Sequence, residues 1–177
     1  MIKSSLQSIF CTMLLLPALL HALPSDRDQE IRIEADEAEI NEADGSSIYR
    51  GNVTLDQGTM RISADRIEIF TADSEIVEIV ASTDIASTAL AHYQQQPESD
   101  EEIVYADARE ISYNARQERL NLIGEANVRQ TEDELSGELI TYDVKKGTFN
   151  LMSSVNRDPN SEEGKPRVRI LLSPQKR

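Results

Sequence analysis

The sequence predicts an all-β protein, an antiparallel sandwich or jelly roll made of two similar halves. Apolar residues alternate with period two through short segments such as 49–55 and 120–128. Turn-forming residues, as at 44–46 and 145–147, separate these segments at spacings of about ten residues. Beyond residue 22, no stretch keeps a helical period for three turns. Short strands at this spacing are typical of an antiparallel sandwich or jelly roll.

An eight-residue pattern occurs four times along the chain. It consists of an apolar residue, any residue, a small residue, an acid, three residues of any kind and a second apolar residue. The copies are residues 33–40, 62–69, 104–111 and 135–142. At an offset of 73 residues the agreement extends further, since Gly51 then aligns with Gly124. Residues 31–70 and 102–143 are therefore predicted to be one structural unit used twice.

Each copy of the pattern predicts a strand that turns a corner and continues. Ile62 and Ile67 are five positions apart, and on a straight strand an odd step places two side chains on opposite faces. A small residue followed by an acid, as in Ala64 and Asp65, suits a bulge or a tight bend whose carboxylate accepts backbone N–H groups. We expect these acids to shape turns rather than to catalyse a reaction.

The N-terminal segment has the features of a secretory signal peptide. Residues 9–20 are almost wholly apolar, which is too short for a spanning helix, and cleavage is predicted after Ala22. Leu20 is large for the −3 position, so the site could move by a few residues, and a retained signal anchor is the alternative. Cys11 has no small residues before it, which argues against a lipoprotein. Cleavage removes Cys11 and leaves His92 as the single histidine, so no disulfide can stabilise the exported chain.

Composition excludes several classes of protein. The net charge of −14 repels phosphate backbones, so we expect no nucleic-acid partner. The exported chain lacks the cysteines and histidines of a zinc site, a phosphate-binding loop and an EF-hand loop, so no metal and no cofactor are expected. His92 has no nearby serine or cysteine for a triad. A carboxylate pair remains conceivable among 32 acids, but none lies in an apolar sequence setting, and the protein is predicted not to be an enzyme.

Both ends of the predicted domain are candidate edge strands. Residues 31–34 are apolar on one side, and so is the last strand at 167–172, which is predicted to be basic outside and apolar inside. The polar loops 94–102 and 156–166 separate segments of the sheet. Unpaired edges are templates for another chain, and the edge positions predicted to meet a partner are Ile31, Arg32, Ile33, Val168, Ile170 and Leu172.

These residues carry a resemblance to a known family. Residues 31–36 (Ile-Arg-Ile-Glu-Ala-Asp) and 49–69, from Tyr-Arg-Gly-Asn-Val to Asp-Arg-Ile-Glu-Ile, resemble the LptA (OstA-like) family of periplasmic bridge proteins of lipopolysaccharide transport. Residues 106–113, 122–128 and 137–142 match it as well, so the likeness covers about 31–172. The predicted organisation is a signal peptide at 1–22, a flexible segment at 23–30, an OstA-like lipopolysaccharide-binding β-jelly roll at 31–172 and a basic tail at 173–177.

The resemblance implies an open, twisted β-jelly roll whose groove holds the acyl chains of lipopolysaccharide. Members stack end to end and join an inner-membrane anchored LptC-like protein to the N-terminal domain of an outer-membrane LptD-like protein. The chain would thus lie in the periplasm, associated with both membranes through partners. The groove positions carried over are Ile31, Ile33, Ile40, Val53, Leu55, Met60, Ile62, Ile67, Ile69, Ile111, Tyr113, Leu120, Leu122, Val128 and Tyr142.

The sequence departs from the family pattern in one loop. Residues 81–96 lack the glycine expected in the family near there, so the geometry of this loop is open. The anionic head group should stay outside the groove, near Arg61 or Arg66 or bridged by divalent cations. The alternatives are a membrane-anchored member of the same pathway, a self-assembling scaffold that carries no lipid and, third, an enzyme acting on cell-envelope sugars.

Overall fold

A computed structural model describes residues 26–84, 86–97, 101–153 and 167–172. These residues form one 3-10 turn, η1 (Asp26–Asp28), and twelve strands joined in a single hydrogen-bonded sheet. The strands are β1 (Ile31–Glu34), β2 (Glu37–Asn41), β3 (Ser46–Gln57), β4 (Met60–Ala72), β5 (Glu75–Ser82), β6 (Ala91–Gln95), β7 (Val104–Ala108), β8 (Glu110–Asn114), β9 (Arg119–Gln130), β10 (Asp133–Asp143), β11 (Thr148–Met152) and β12 (Arg169–Leu171).

The sheet folds over into two layers because four long strands, β3, β4, β9 and β10, run through both. The first layer contains, in order, β1, the second half of β3, the first half of β4, β6, β7, the second half of β9, the first half of β10, and β12. The second layer contains β2, the other halves of β3 and β4, then β5, β8, the other halves of β9 and β10, and β11. Every pairing is antiparallel, which confirms the predicted all-β jelly roll.

The corner between the layers is made by one β-bulge in each half of the chain. The β3–β4 register shifts between Arg50 and Val53, and the β9–β10 register shifts opposite Gly137 and Leu139. The extra residues have positive φ angles, 78° at Gly51 and 46° at Asn52, and 77° at Gly124 and 51° at Glu125. The two bulges lie 73 residues apart, so the internal repeat is visible in the backbone itself.

The first bulge places Ile62 and Ile67 on the same face, as their five-residue spacing requires. It lies on β3, whereas the sequence pattern predicted a bulge on β4. Ile62 and Ile67 are both buried, at 1% and 0% exposure. The small-acid pair of β4 stays in the strand, while β3 supplies the additional residue. The expectation that the acid accepts a backbone N–H holds for Asp65, which accepts one from Asp84 at 3.0 Å. Asp36 instead accepts the side-chain amide of Asn52 at 3.0 Å.

The four copies of the eight-residue pattern are of two kinds. The copies at 62–69 and 135–142 lie within the continuous strands β4 and β10. The copies at 33–40 and 104–111 are divided, since β1 ends before β2 begins and β7 ends before β8 begins. A separate strand thus serves each layer at these places, rather than one strand that turns a corner.

The interior narrows toward the corner, which explains the scarcity of aromatic residues. Next to the bulges the first layer has small side chains, with Ala64 opposite Val53, Ala91 opposite Ala108, and Ala126 opposite Gly137. Larger residues such as Tyr93 follow farther from the corner. Small residues are needed where two layers of one sheet meet at close range, because packing at interior density leaves no room for a longer side chain.

The C-terminal strand differs from the prediction in length and in exposure. Only β12 (Arg169–Leu171) is paired, so Val168 and Leu172 lie just outside the strand. Ile170 lies on the inner side, opposite Leu135, but this side is uncovered, since Ile170 is 56% exposed and Leu172 is 68% exposed. No further strand packs over β12 in the described part of the chain. The predicted signal peptide, the loop at 156–166 and the tail at 173–177 lie outside the described residues.

The segment 23–30, predicted to be flexible, makes hydrogen bonds to the sheet where it is described. Gln29 N donates to Asp26 O at 3.0 Å and closes the single turn of η1. Gln57 Nε2 donates to Gln29 O at 3.2 Å, so a strand of the first layer holds this segment. Asp26 and Gln29 therefore contact the first layer.

Candidate functional site

The candidate site is the apolar interior between the two layers. In the first layer one inward row crosses eight strands, from Ile33 on β1 through Leu55, Ile62, Tyr93, Ala106, Val128 and Leu135 to Ile170 on β12. In the second layer an inward row runs from Ile40 on β2 through Ser47, Ile69, Ile79, Tyr113, Leu120 and Tyr142 to Phe149 on β11.

The two rows are buried in the middle and open at both edges. Leu55, Tyr93 and Leu120 are fully buried, and the central residues of both rows are at most 5% exposed, apart from the half-buried Ser47 and Leu135. At the edges Ile40 is 66% exposed and Ile170 is 56% exposed. The central strands have a neighbour on each side and a facing layer, whereas β1, β2, β11 and β12 have a strand on one side only. The apolar surface therefore continues to the ends of the molecule.

The structure brings the predicted groove positions together on the inner face, with different degrees of exposure. Ile31 and Ile33 are half-buried on β1, and Ile40 lies in the inward row of β2 but is exposed. The remaining twelve are buried at 5% exposure or less: Val53, Leu55, Met60, Ile62, Ile67, Ile69, Ile111, Tyr113, Leu120, Leu122, Val128 and Tyr142.

Sequence reasoning missed several inward residues of the central strands. Ile79, Tyr93 and Ile140 are among the largest fully buried side chains, and Val104 and Ala106 lie beside them. The period-two alternation of the sequence could have identified the inward residues of two of these strands. Ala91 and Tyr93 alternate along β6, and Val104, Ala106 and Ala108 alternate along β7. These segments follow the period of two that identified the other strands.

Three tyrosines belong to the inward rows of the two layers. The ring of Tyr93 in the first layer is 6.4 Å from that of Tyr113 in the second, measured between centroids. Tyr142 stacks on Phe149 at 4.2 Å. Burial raises the pKa of Tyr142 to about 12, with further contributions from the charges of Glu101 and Asp143. The phenols of Tyr93 and Tyr142 therefore stay neutral at physiological pH.

The two arginines expected to meet an anionic head group are paired with acids on the outer surface. Arg61 Nε lies 2.6 Å from Asp56 Oδ1, and Arg66 Nε lies 3.0 Å from Glu68 Oε1. A recess of about 490 Å³ on the outside of the first bulge is lined by Arg50, Gly51, Asn52, Asp65, Arg66, Asp84, Ala86 and Ser87. Two arginines and two aspartates leave this lining without net charge, so it has no preference for an anion.

Charge differs between the two edges of the sheet. At the N-terminal edge the exposed acids are Glu34 on β1 and Glu37 and Glu39 on β2. At the C-terminal edge the exposed side chains of Arg167 and Arg169 accompany β12. Opposite charges on surfaces with unpaired strand edges favour association between one edge and the other.

Residues 26–84, 86–97, 101–153 and 167–172 lack two features of other protein classes. In these ranges no three His, Cys, Asp or Glu side chains are grouped so that they could hold a metal ion. Among the same residues, no helix is long and apolar enough to cross a membrane. The described His92 donates or accepts through Nδ1 to Asp107 Oδ1 at 2.7 Å, and Arg129 binds the other oxygen of that carboxylate at 3.2 Å.

Comparison with known proteins identifies relatives over most of the chain. LptH of Pseudomonas aeruginosa, a lipopolysaccharide export system protein, is 31% identical over 156 residues, which are 88% of this chain and 86% of that protein. LptA of Escherichia coli, another lipopolysaccharide export system protein, is 28% identical over 145 residues, or 81% of this chain and 76% of the relative.

A solved structure has the same fold. The crystal structure of LptH, described as the LptA homologous periplasmic component of the conserved lipopolysaccharide transport device of Pseudomonas aeruginosa, superposes with a TM-score of 0.74 at 28% identity. It covers 85% of this chain and 100% of the LptH chain. Residues 32–148 also match the family described as LptA/(LptD N-terminal domain) LPS transport protein. The chain thus belongs to the LptA/LptD N-terminal domain family of lipopolysaccharide transport proteins.

Proposed function

We propose that this chain is a periplasmic lipopolysaccharide-binding protein that bridges the inner and outer membranes and carries lipopolysaccharide to the outer membrane for assembly. The observation that carries the proposal is the pair of apolar rows that cross eight strands and end in exposed residues at both edges. Membership of the transport family and the names of the relatives support it. The chain would perform no catalysis.

Acyl chains would lie along the inward rows, with the sugars and phosphates outside. Ile31, Ile33 and Ile40 would receive them at the N-terminal edge, and Ile170 would meet them at the other. Burial of hydrocarbon contributes about 25 cal/mol for each Å² of apolar surface removed from water. Because the central residues pack against one another in this structure, lipid would have to separate the two layers, and the cost of separation would be offset by acyl contact.

The unpaired edges would join this chain to its partners by strand addition. A second copy would place its N-terminal edge, β1 and β2, against β11 and β12 of the first and continue both inward rows. An inner-membrane anchored LptC-like protein and the N-terminal domain of an outer-membrane LptD-like protein would occupy the two ends. Main-chain hydrogen bonds supply affinity in this mode, and side chains at alternate positions supply specificity.

In-cell photo-crosslinking tests lipid carriage at two adjacent positions. Ile33 is half-buried and opposite Leu55, whereas its neighbour Glu34 is exposed and opposite Thr54. A photo-reactive residue at position 33 should attach to lipopolysaccharide, and the same residue at position 34 should not, because successive side chains on a strand point to opposite faces. The measurement is an immunoblot of the protein for attached lipopolysaccharide.

The same experiment distinguishes the alternatives. Crosslinks at neither position, with ladders of self-crosslinked chains, would contradict lipid carriage and favour a polymerising scaffold. N-terminal sequencing of the protein from cells separates a periplasmic chain, beginning near Leu23, from a membrane-anchored member of the pathway. Removal of divalent cations by a chelator tests whether they bridge the head groups, since unchanged lipid occupancy would exclude that role.

A further inference from the structure

Tyr93 lies in the inward row of the first layer, farther from the corner than Ala91. This side chain is fully buried in the middle of β6, and its ring faces Tyr113 of the second layer. Burial raises the pKa of Tyr93 well above its usual value of 10.0, and Tyr113, Tyr142 and Asp26 contribute in the same direction. The two layers therefore touch at a seam formed by the rings of Tyr93 and Tyr113.

A chain of hydrogen bonds connects this seam to the residues before β1. The Tyr93 hydroxyl donates to Gln95 Oε1, and Gln95 Nε2 donates to Asp26 Oδ2 at 2.8 Å. The same carboxylate accepts the Thr59 backbone N–H at 2.7 Å and the Thr59 hydroxyl at 2.6 Å. Asp26 thus joins the β3–β4 turn to the end of β6, although 33 residues separate it from Thr59 and 69 from Gln95.

Further contacts hold the same segment against the β3–β4 turn. Gln57 Nε2 donates to Gln29 O at 3.2 Å. Asp26 also packs on Gly58, where an added Cβ would overlap its carboxylate. Within residues 26–30 no apolar side chain is present to anchor the segment in the core. The attachment is therefore polar and lies at the margin of the fold, where local opening needs the least free energy.

We infer that residues 26–29 are a strap that holds the free end of the first layer shut over Tyr93, and that release of Asp26 opens this end to acyl chains. The inference rests on the proposed function, because it assigns the strap to the control of lipid entry into the same interior. The physical basis is that Asp26 carries three charge-assisted hydrogen bonds to two elements. Its loss would leave these elements joined by the Thr59–Gln96 hydrogen bonds and the β4–β6 pairing alone.

The test uses the exported chain with two strap variants and one control. Asp26→Ala removes all three bonds, and Thr59→Val removes the hydroxyl with little change of shape. Glu110→Ala deletes an exposed acid on the outer face of β8 and leaves the strap intact. Hydrogen exchange of residues 57–60 and 91–96 reports opening, and stopped-flow fluorescence with labelled rough lipopolysaccharide reports the rate of uptake.

Asp26→Ala should raise both the exchange of these segments and the association rate about tenfold, which corresponds to ~1.4 kcal/mol of opening free energy. Thr59→Val should raise both by less, and Glu110→Ala should change neither. Unchanged exchange in Asp26→Ala would overturn the strap, and so would faster exchange without faster uptake. If the unaltered chain takes up no lipopolysaccharide, the proposed function fails and the gating role fails with it, while the exchange data still show whether the strap holds the seam.

Discussion

Alanine substitution at the glycines of the two bulges tests whether backbone geometry at the corner is what joins the layers. Gly51 has a φ of +78° and Gly124 a φ of +77°, a region that costs an L-residue about 1–2 kcal/mol. The surroundings differ between the repeats. A Cβ on Gly51 would overlap the Asp36 carboxylate and lie 2.9 Å from Asp36 Cβ, whereas a Cβ on Gly124 would lie 3.0 Å from Arg109 Cβ.

The expected losses of unfolding free energy follow this difference. Gly147 has a φ of +61° and nothing within 4 Å of an added Cβ, so Gly147→Ala measures the backbone cost alone, about 1 kcal/mol. Gly124→Ala should cost about 2 kcal/mol, and Gly51→Ala about 3 kcal/mol, because overlap adds to the backbone strain. Urea unfolding followed by circular dichroism, with an unchanged m-value, measures each loss.

A double variant isolates the overlap at the first bulge. Asp36→Gly removes the side chain that the new methyl group meets, so Gly51→Ala with Asp36→Gly should lose less than the sum of the two single variants, by at least about 1 kcal/mol. Equal losses for Gly51→Ala, Gly124→Ala and Gly147→Ala would refute the reasoning, since then only the local φ would matter. Strict additivity in the double variant would also contradict it.

Three further predictions follow from the interior and its rim. Ala108→Leu beside the corner should lower the free energy of unfolding by about 1–3 kcal/mol through overpacking, as measured by urea unfolding. The exposed Ala43→Leu is the control and should have almost no effect. Equal losses for the two variants would contradict a narrow interior at the corner. Because the pKa of Tyr142 is raised to about 12 from 10.0, its contribution to stability is complete below pH 10 and is lost as the pH rises toward 12. Tyr142→Phe should flatten the alkaline loss in unfolding free energy measured from pH 9 to 12, and an unchanged slope would refute this. The hydrogen bond from Lys146 Nζ at 2.9 Å lowers the pKa of Asp143, so this carboxylate stabilises the fold above its ordinary pKa of 3.8 and ceases to do so as the pH falls through the lowered value. Lys146→Met should therefore reduce stability near pH 5 more than near pH 2, as measured by thermal unfolding across that range. An equal reduction at both pH values would contradict a stabilising hydrogen bond between Lys146 and Asp143.

The strap prediction and the lipid prediction concern different parts of the molecule, so their outcomes are separable. Crosslinking at Ile33 reports on the N-terminal edge of the first layer, where the inward row is half-exposed. Exchange at residues 91–96 reports on the seam at Tyr93, on a central strand. Lipid could therefore reach Ile33 whether or not the strap controls entry elsewhere.

Local patterns in the chain were enough to predict the class of fold and much of the inner face. Period-two alternation identifies a strand because successive side chains on a strand point to opposite faces, and this held for β3, β4, β9 and β11. The repeat at an offset of 73 residues predicted two equivalent halves, and the matching bulges at Gly51 and Gly124 confirm it. Each of these properties depends on residues close together in the chain.

Properties that depend on distant neighbours were decided only by the tertiary structure. The extra residue of the first bulge lies on β3 because register is set jointly by two strands, while the sequence pattern pointed to β4. Ile40 and Ile170 alternate like buried residues but are exposed, since no strand lies beyond β2 or β12 among the described residues to cover them.

The strap is the clearest example of a feature decided by the tertiary structure. Asp26, Thr59 and Gln95 are ordinary polar residues in the sequence, and no local spacing connects them. They meet because η1, the β3–β4 turn and the end of β6 are brought to one end of the first layer. Alternation and repetition along the chain determined which faces are apolar. Burial, register and polar contacts between layers were decided by the fold, because their free energies depend on residues that become neighbours only when the sheet closes on itself.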